Sequence, residues 1–330
     1  LQIILARLLT PNDYGIISLI TIFIALANVF IQSGFNTALI QKKDTTEEDF
    51  SSVFYLSLLV AGILYIILFI SSPYIAKFYG IKELILVLRV LSIILFFGAI
   101  NSIQNAVVSR TMNFRKLFTS SIFSAIISGV IGIILAYLGF GVWALVAQQI
   151  INQISITIIL WFTLKWRPRL VFSITRIGSL FSYGWKLLVS SLIDTLYMNL
   201  RSLIVGKVYT SEMLAFYNRG DQFPQIIVSN INGSIQSVML PTLSLEQDNK
   251  KRVKELVRRS IVTSSFLLFP LMIGLAVIAE PLIKILLTEK WLSCVPFMQI
   301  FCLTYALWPI HTANLQAINA LGRSDIYLKL

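Results

Sequence analysis

The sequence predicts an all-α polytopic membrane protein: a helix bundle of two six-helix repeat lobes around a central cavity. Three observations carry this. Apolar runs of about 20 residues or more, the length a helix needs to cross the hydrocarbon, recur along the whole 330-residue chain. Charged residues make up 13% and hydrophobic ones 57%, with a mean hydropathy of +0.82, whereas soluble domains carry roughly 25% charged residues. Short motifs also recur, in order, about 200 residues apart. A soluble helix keeps a polar face, and most segments here have none.

The spans follow in order. The first, 1–9, stops at the polar turn Thr10–Gly15, and the second, 15–40, stops before Lys42 and Lys43. The third, 51–76, lies between loops 41–50 and 77–83, and the fourth, 84–108, between loops 77–83 and 109–116. The fifth and sixth, 117–138 and 141–164, form a hairpin around Gly139 that ends at Lys165. The last four are 182–208, 222–245, 260–287 and 295–320. The chain starts inside an apolar run and ends where another helix should begin, so truncation at both ends is expected. Residues 1–170 are expected to form the N-terminal lobe (helices one to six). Residues 171–330 are expected to form the C-terminal lobe and the start of the next segment (helices seven to ten).

The net charge of +12 would suggest nucleic acid in a soluble protein, but here its placement gives another meaning. Segments 41–50, 109–116, 165–176, 246–259 and 321–330 hold 17 of the 27 Lys and Arg. The alternate segments, 10–14, 77–83, 139–140, 209–221 and 288–294, hold only Lys77, Lys82, Arg219 and Lys290. Membrane proteins keep Lys and Arg in cytoplasmic loops, so the first set is read as cytoplasmic and no nucleic-acid partner is expected. The run Lys250–Arg259 reads as a topology determinant that contacts anionic lipid. Cys294, Cys302 and His311 are too few for a disulfide framework or a metal cage.

The repeat pairs Arg7 with Lys207 and Thr10 with Thr210 at an offset of 200, and Pro73 with Pro281 at 208. It pairs Gln104 with Gln316 at 212 and Arg110 with Arg323 at 213. Six helices per repeat is an even number, so both copies keep one orientation. Parallel repeats of this kind place a substrate cavity between two bundles.

Several stretches together resemble the bacterial polysaccharide-transport flippases. They are Leu5-Ala-Arg-Leu-Leu-Thr-Pro-Asn-Asp-Tyr-Gly15, Ser33-Gly-Phe-Asn-Thr-Ala-Leu-Ile-Gln-Lys-Lys43 and Leu138-Gly-Phe-Gly-Val-Trp-Ala-Leu-Val-Ala-Gln148. To these add Lys165-Trp-Arg-Pro168, Phe216-Tyr-Asn-Arg-Gly220 and Leu287-Thr-Glu-Lys-Trp-Leu292. The nearest group is that of lipopolysaccharide or colanic-acid exporters, in the superfamily that also holds the multidrug and toxin extruders and the lipid II flippase. The resemblance covers the whole chain. It implies fourteen helices, a bacterial inner-membrane location and an undecaprenyl-diphosphate-linked oligosaccharide as substrate. It also implies transfer to the outer leaflet by alternating access, with the polysaccharide polymerase and chain-length machinery as further partners.

Moving a diphosphate and a glycan through hydrocarbon requires cations and hydrogen-bonding groups in a hydrated cavity. Charges within membrane spans are candidate functional residues by default, and Arg offers phosphate a bidentate fork where Lys is a point charge. Helix seven is the richest, with Lys186, Asp194, Asn199, Arg201 and Lys207. Arg201, Lys186, Arg89, Asn28 and Asn199 are the candidate contacts for diphosphate and sugar. For Lys186 the alternative is snorkelling to the interface, and for Arg201 it is an ion pair with another helix. Arg7 and Lys207 are candidates for an outer gate or exit site, with interfacial snorkelling as the alternative. Asp194 fits either a coupling proton or sodium ion, the only cofactor expected, or the counter-ion of a buried arginine. Asn28, Gln32 and Asn36 recur every four residues along helix two. Further amides are Asn101, Gln104 and Asn105 on helix four and Gln148, Gln149, Asn152 and Gln153 on helix six. These fit interhelical hydrogen bonds better than sugar contacts. Gly129 and Gly132 read as packing residues.

A multidrug exporter of the same superfamily is the main rival, but its cavity should be acidic and aromatic, whereas embedded cations outnumber acids here. A membrane glycosyltransferase or polymerase needs a large outer loop with catalytic groups. The outer loops are short, so no catalytic residue and no metal site are assigned.

Overall fold

The computed structural model describes residues 1–32, 35–41, 45–246 and 249–320, and every element in them is helical. The motif residues Ser33 and Gly34, the basic Lys42 and Lys43, and all of the basic segment 321–330 lie outside the described residues. In order the helices are α1 (Gln2–Leu8), α2 (Pro11–Gln32), α3 (Phe35–Gln41), α4 (Glu47–Tyr79), α5 (Leu84–Leu91), α6 (Ile94–Thr111) and α7 (Phe114–Tyr137). There follow α8 (Val142–Thr163), α9 (Ile174–Val208), α10 (Ser211–Leu245), α11 (Lys250–Val277) and α12 (Ala279–Leu287). A 3-10 turn, Glu289–Cys294, leads into α13 (Val295–Ala306) and α14 (Trp308–Ala320). Eight helical stretches among the described residues, with α5–α6 and the 3-10 turn through α14 each taken as one, are long and apolar enough to cross a membrane. The chain is therefore a multi-pass membrane protein.

Three predicted boundaries move because charged residues extend helices beyond the apolar runs. Lys, Arg and Glu are good helix formers, so apolarity marks where a helix meets lipid and not where it starts. Thus α9 begins at Ile174 and takes Arg176 out of its predicted loop. Helix α10 begins at Ser211, so the predicted outer loop 209–221 shrinks to 209–210 and Arg219 becomes a helical residue, 8% exposed. The basic run from Lys250 to Arg259 is the first part of α11, capped by Asn249, whose side chain accepts from the Arg252 N–H at 3.1 Å. Predicted spans four, nine and ten are each interrupted, at Ser92–Ile93, Ile278 and Leu307. Of the ten predicted spans, α1 is a seven-residue piece, and α10 is a single helix too polar to count among the eight.

The chain divides into two compact units, Leu1–Ala215 and Phe216–Leu330. In the first, α2 is the central helix, packed on α4, α5, α6, α8 and α9. Its core holds Leu5, Ile16, Leu19, Ile20, Leu84, Leu88 and Leu95, all buried. Helix α7 meets α8 along Ser120, Ser124, Ser128, Gly132 and Ala136, a buried row of small residues at four-residue spacing. Lipid is as apolar as a leucine face, so hydrophobic burial drives no association between membrane helices, and small residues that admit close contact take that role. Gly132 illustrates this, since an added Cβ would stand 2.9 Å from Cβ of Gln148. Helix α9, read from sequence as the first of the second lobe, packs on α2, α3 and α4 and belongs to this unit. Phe181 stacks on Phe35 at 6.0 Å.

The second unit is built around Trp291, which is fully buried. Phe216 meets its ring edge-on at 6.0 Å and the Arg219 guanidinium lies 5.3 Å from the ring centre. Tyr217 contacts Phe297 and Phe301 at 5.9 and 5.2 Å, and Tyr305 donates to Asp221 at 2.7 Å. The stretches Phe216–Gly220 and Leu287–Leu292 are thus two sides of one contact. Lys284 pairs with Glu289 at 2.7 Å, joining the last turn of α12 to the 3-10 turn.

Candidate functional site

Helix α9 carries the strongest candidate. One side packs on α2, α3 and α4, and the other is open. Lys186, Ser190, Asp194, Tyr197 and Arg201 are all exposed, and steps of three or four residues put them within one face of a 3.6-residue helix. Lys186 and Arg201 flank Asp194 at eight and seven residues, about 12 and 10 Å along the axis. No described residue forms an ion pair with any of the three. Lys186 lies twelve residues after Ile174, more than three turns inside the helix, because α9 starts earlier than its apolar run suggests. In lipid a charged row of this kind is stable only against water, a ligand or another charge. Asn199 is half-buried, with its amide donating to the Thr195 carbonyl at 2.8 Å.

Arg89 is placed elsewhere. Pro73 lacks an N–H, so the carbonyl of Phe69, four residues earlier, loses its helical donor. Ser72 Oγ donates to that carbonyl at 2.8 Å and Arg89 Nε at 3.3 Å, while Arg89 Nε also reaches Ser72 Oγ at 2.9 Å. The guanidinium sits 4.2 Å from the centre of the Phe69 ring. Arg89 thereby repairs the proline break in α4. Arg89→Ala is expected to cost about 1.5–3 kcal/mol, the range for a hydrogen bond from a charged donor. The measurement is the melting temperature of the purified protein, alongside ligand affinity per folded molecule. A loss of affinity at unchanged melting temperature would instead place Arg89 in the substrate site.

Asn28 lies on α2 against α6, its Oδ1 buried without a described partner and 2.8 Å from where a Cβ on Gly98 would stand. Some amides of α6 reach across to α8. Asn101 Nδ2 donates to Gln153 at 3.1 Å, Thr157 Oγ1 to Asn101 Oδ1 at 2.8 Å, and Gln104 Nε2 to the Thr157 carbonyl at 3.3 Å. Asn152 donates to Ser128 on α7 at 3.2 Å. Lys207 caps α4: its ammonium donates to the Phe78 carbonyl, in the last turn of that helix, and lies 4.2 Å from the Phe78 ring centre. Arg7 stands exposed in the last turn of α1. Ser211 Oγ donates to Asn12 Oδ1, so the turn before α2 and the start of α10 are in contact.

One cluster escaped the sequence reading. The first turn of α4 carries Glu47, Glu48 and Asp49, the last fully buried. Asp49 accepts from the Thr46 N–H at 2.9 Å in a capping box. Arg176 reaches Glu48 at 2.8 Å and Asp49 at 3.3 Å, and Arg169 pairs with Glu47. Ser51 and Ser52 accept from the N–H groups of Arg169 and Ser173 at 3.0 and 3.1 Å. The α8–α9 linker is therefore fastened to α4. The sequence signal was present as three acids in a row and a basic segment of matching size, but nothing in the spacing paired them. Among the described residues no group of three His, Cys, Asp or Glu could hold a metal ion.

The model of a family described as polysaccharide biosynthesis protein matches residues 4–296. The chain is 28% identical over 302 residues to the teichuronic acid biosynthesis protein TuaB of Bacillus subtilis, covering 91% of this chain and 62% of that protein. Among solved structures it superposes on the lipid II flippase MurJ in an inward closed conformation, with a TM-score of 0.75 and 16% identity. That match covers 97% of this chain and 72% of the other. A multidrug resistance MATE family transporter in an inward-facing conformation superposes with a TM-score of 0.69 and 14% identity over 98% and 80% of the two chains. At these identities the two structures show a shared fold.

Proposed function

The chain belongs to the polysaccharide biosynthesis protein family, and on that premise we propose that it is a flippase for a lipid-linked oligosaccharide. The substrate is an undecaprenyl-diphosphate-linked unit of a surface polysaccharide, carried from the cytoplasmic to the outer leaflet of the cell membrane by alternating access. The observation that carries this reading is the open face of α9, where Lys186 and Arg201 flank Asp194 within a membrane-length helix. Two cations and one acid suit an anionic head group. A carrier of cationic drugs needs the opposite balance, and since the fold is shared with a multidrug transporter, the charge on this face and the family favour the flippase.

On this reading Arg201 grips the diphosphate through its fork and Lys186 adds a second charge nearer the cytoplasm. Asp194, between them, binds the coupling proton or sodium ion, or balances Arg201 when the site is empty. The basic segments, α11's first turns among them, face the cytoplasm. The polymerase and chain-length machinery receive the product on the far side. Deletion of the gene is expected to strand lipid-linked repeat units on the cytoplasmic face and to abolish the surface polysaccharide. Normal surface glycan in the deletion strain would refute the proposal.

A further inference from the structure

Helix α11 carries features to which the proposed transport assigns no role. We propose that it binds anionic phospholipid of the leaflet next to its N-terminal half, in two apolar grooves on either side. Arg259 holds the phosphate of one lipid, and Lys254 with Arg258 holds that of the other.

The first groove, about 690 Å³, runs between α10 and α11, with Ile231, Ile235, Val238, Leu256 and Leu267 in its walls. This is within the size of small-molecule sites, roughly 300–1,000 Å³. Four of its polar lining groups are turned onto their own helices, while Ser260 and Thr263 also line it. Asn230 donates to the Ile226 carbonyl at 2.7 Å, Ser234 to Asn230 at 3.0 Å, Thr242 to Val238 at 2.7 Å and Ser264 to Ser260 at 2.6 Å. With those four donors satisfied, the groove offers a mostly hydrocarbon surface and suits a lipid chain better than a sugar. From Leu256 to Leu267 it extends eleven residues, about 16 Å, or half of the roughly 30 Å hydrocarbon core. That is the depth of one leaflet. Arg259 lies at the shallow end.

The second groove, about 540 Å³, lies on the α14 side of the same helix, walled by Val253, Val257, Ile261 and Ala317, with Lys254 and Arg258 in its lining. Arg252 is paired with Glu255 at 3.3 Å, whereas Lys254, Arg258 and Arg259 are exposed and form no ion pair with a described residue. Two grooves of one chemistry on one helix fit an abundant lipid, where a single transported molecule would need one. Each basic residue near an anionic leaflet contributes about 1 kcal/mol, roughly a fivefold preference for an anionic over a zwitterionic head group. The inference needs only the membrane setting of α11 and stands apart from the flippase reading.

Full-length protein reconstituted in vesicles of phosphatidylglycerol and phosphatidylcholine in equal parts, then weighed by native mass spectrometry, should retain two phosphatidylglycerols. Arg259→Gln should weaken one about fivefold, and Ser234→Trp, from an exposed position in the first groove, should expel it. Both should leave the second in place. Lys254→Gln with Arg258→Gln should do the converse. Equal retention of both lipids, or retention unmoved by these substitutions, would overturn the proposal. So would a lipid-free protein with both grooves filled by its own chain, or exchange of the retained lipid for polyprenyl-linked saccharide supplied in the vesicles.

Discussion

Gly15→Ala is expected to destabilise the first unit by at least about 3 kcal/mol, the upper end of the usual cost of overpacking. An added Cβ at position 15 would stand 1.8 Å from the backbone oxygen of Ser211 and 2.4 Å from its carbonyl carbon. A backbone carbonyl at the start of a helix cannot rotate away, so α2 and the first turn of α10 must separate, and the Ser211–Asn12 hydrogen bond goes with them. Gly206→Ala is the control. Its Cβ would meet Leu19 Cδ2 at 2.5 Å, but that is the tip of a flexible side chain that can change rotamer. The melting temperature of the purified protein should therefore fall in the order wild type, Gly206→Ala, Gly15→Ala. An alanine at 15 that melts with the wild type would refute the close approach of the two turns.

Arg201→Ala is expected to abolish complementation of a flippase deletion while leaving the protein in the membrane at normal levels. Arg201 is exposed on α9 and forms no hydrogen bond or ion pair with a described residue, so its loss leaves no partner stranded. A hydrogen bond to a charged group contributes about 1.5–3 kcal/mol, which predicts binding of lipid-linked oligosaccharide weakened by roughly 10- to 100-fold. Arg201→Lys keeps the charge without the fork and should fall between. Full complementation by the alanine variant would remove Arg201 from the site.

Arg89 and Arg201 show what a sequence can and cannot assign. Both are arginines in membrane spans, and by composition they are equivalent. Pro73 could have hinted at the difference, since it frees the Phe69 carbonyl, but Arg89 is sixteen residues further on, across a turn. Only the packing of α5 on α4 brings the two together. The amides of α6 and α8 were legible as interhelical bonds because several polar groups on facing spans have few other outlets in lipid. Their pairing was not legible, because Asn101 could have met any of four amides on the sixth span, and the structure gives it Gln153 and Thr157. The sequence reading pairs Lys207 with Arg7, and the structure directs Lys207 to the end of α4.

The sequence by itself determined that this protein is an all-helical membrane protein, roughly where its helices cross, and which charges lie within them. Those properties follow from hydrophobicity summed along the chain, which is local. The tertiary structure alone decided that α9 joins the first unit, that Arg89 mends a broken helix, and that the acids of Glu47–Asp49 hold the α8–α9 linker. It also decided that Gly15 exists for a neighbour almost two hundred residues away. These are contacts between distant segments, set by which small residues admit close approach and which unsatisfied carbonyls need a donor, and no periodicity in the chain encodes them.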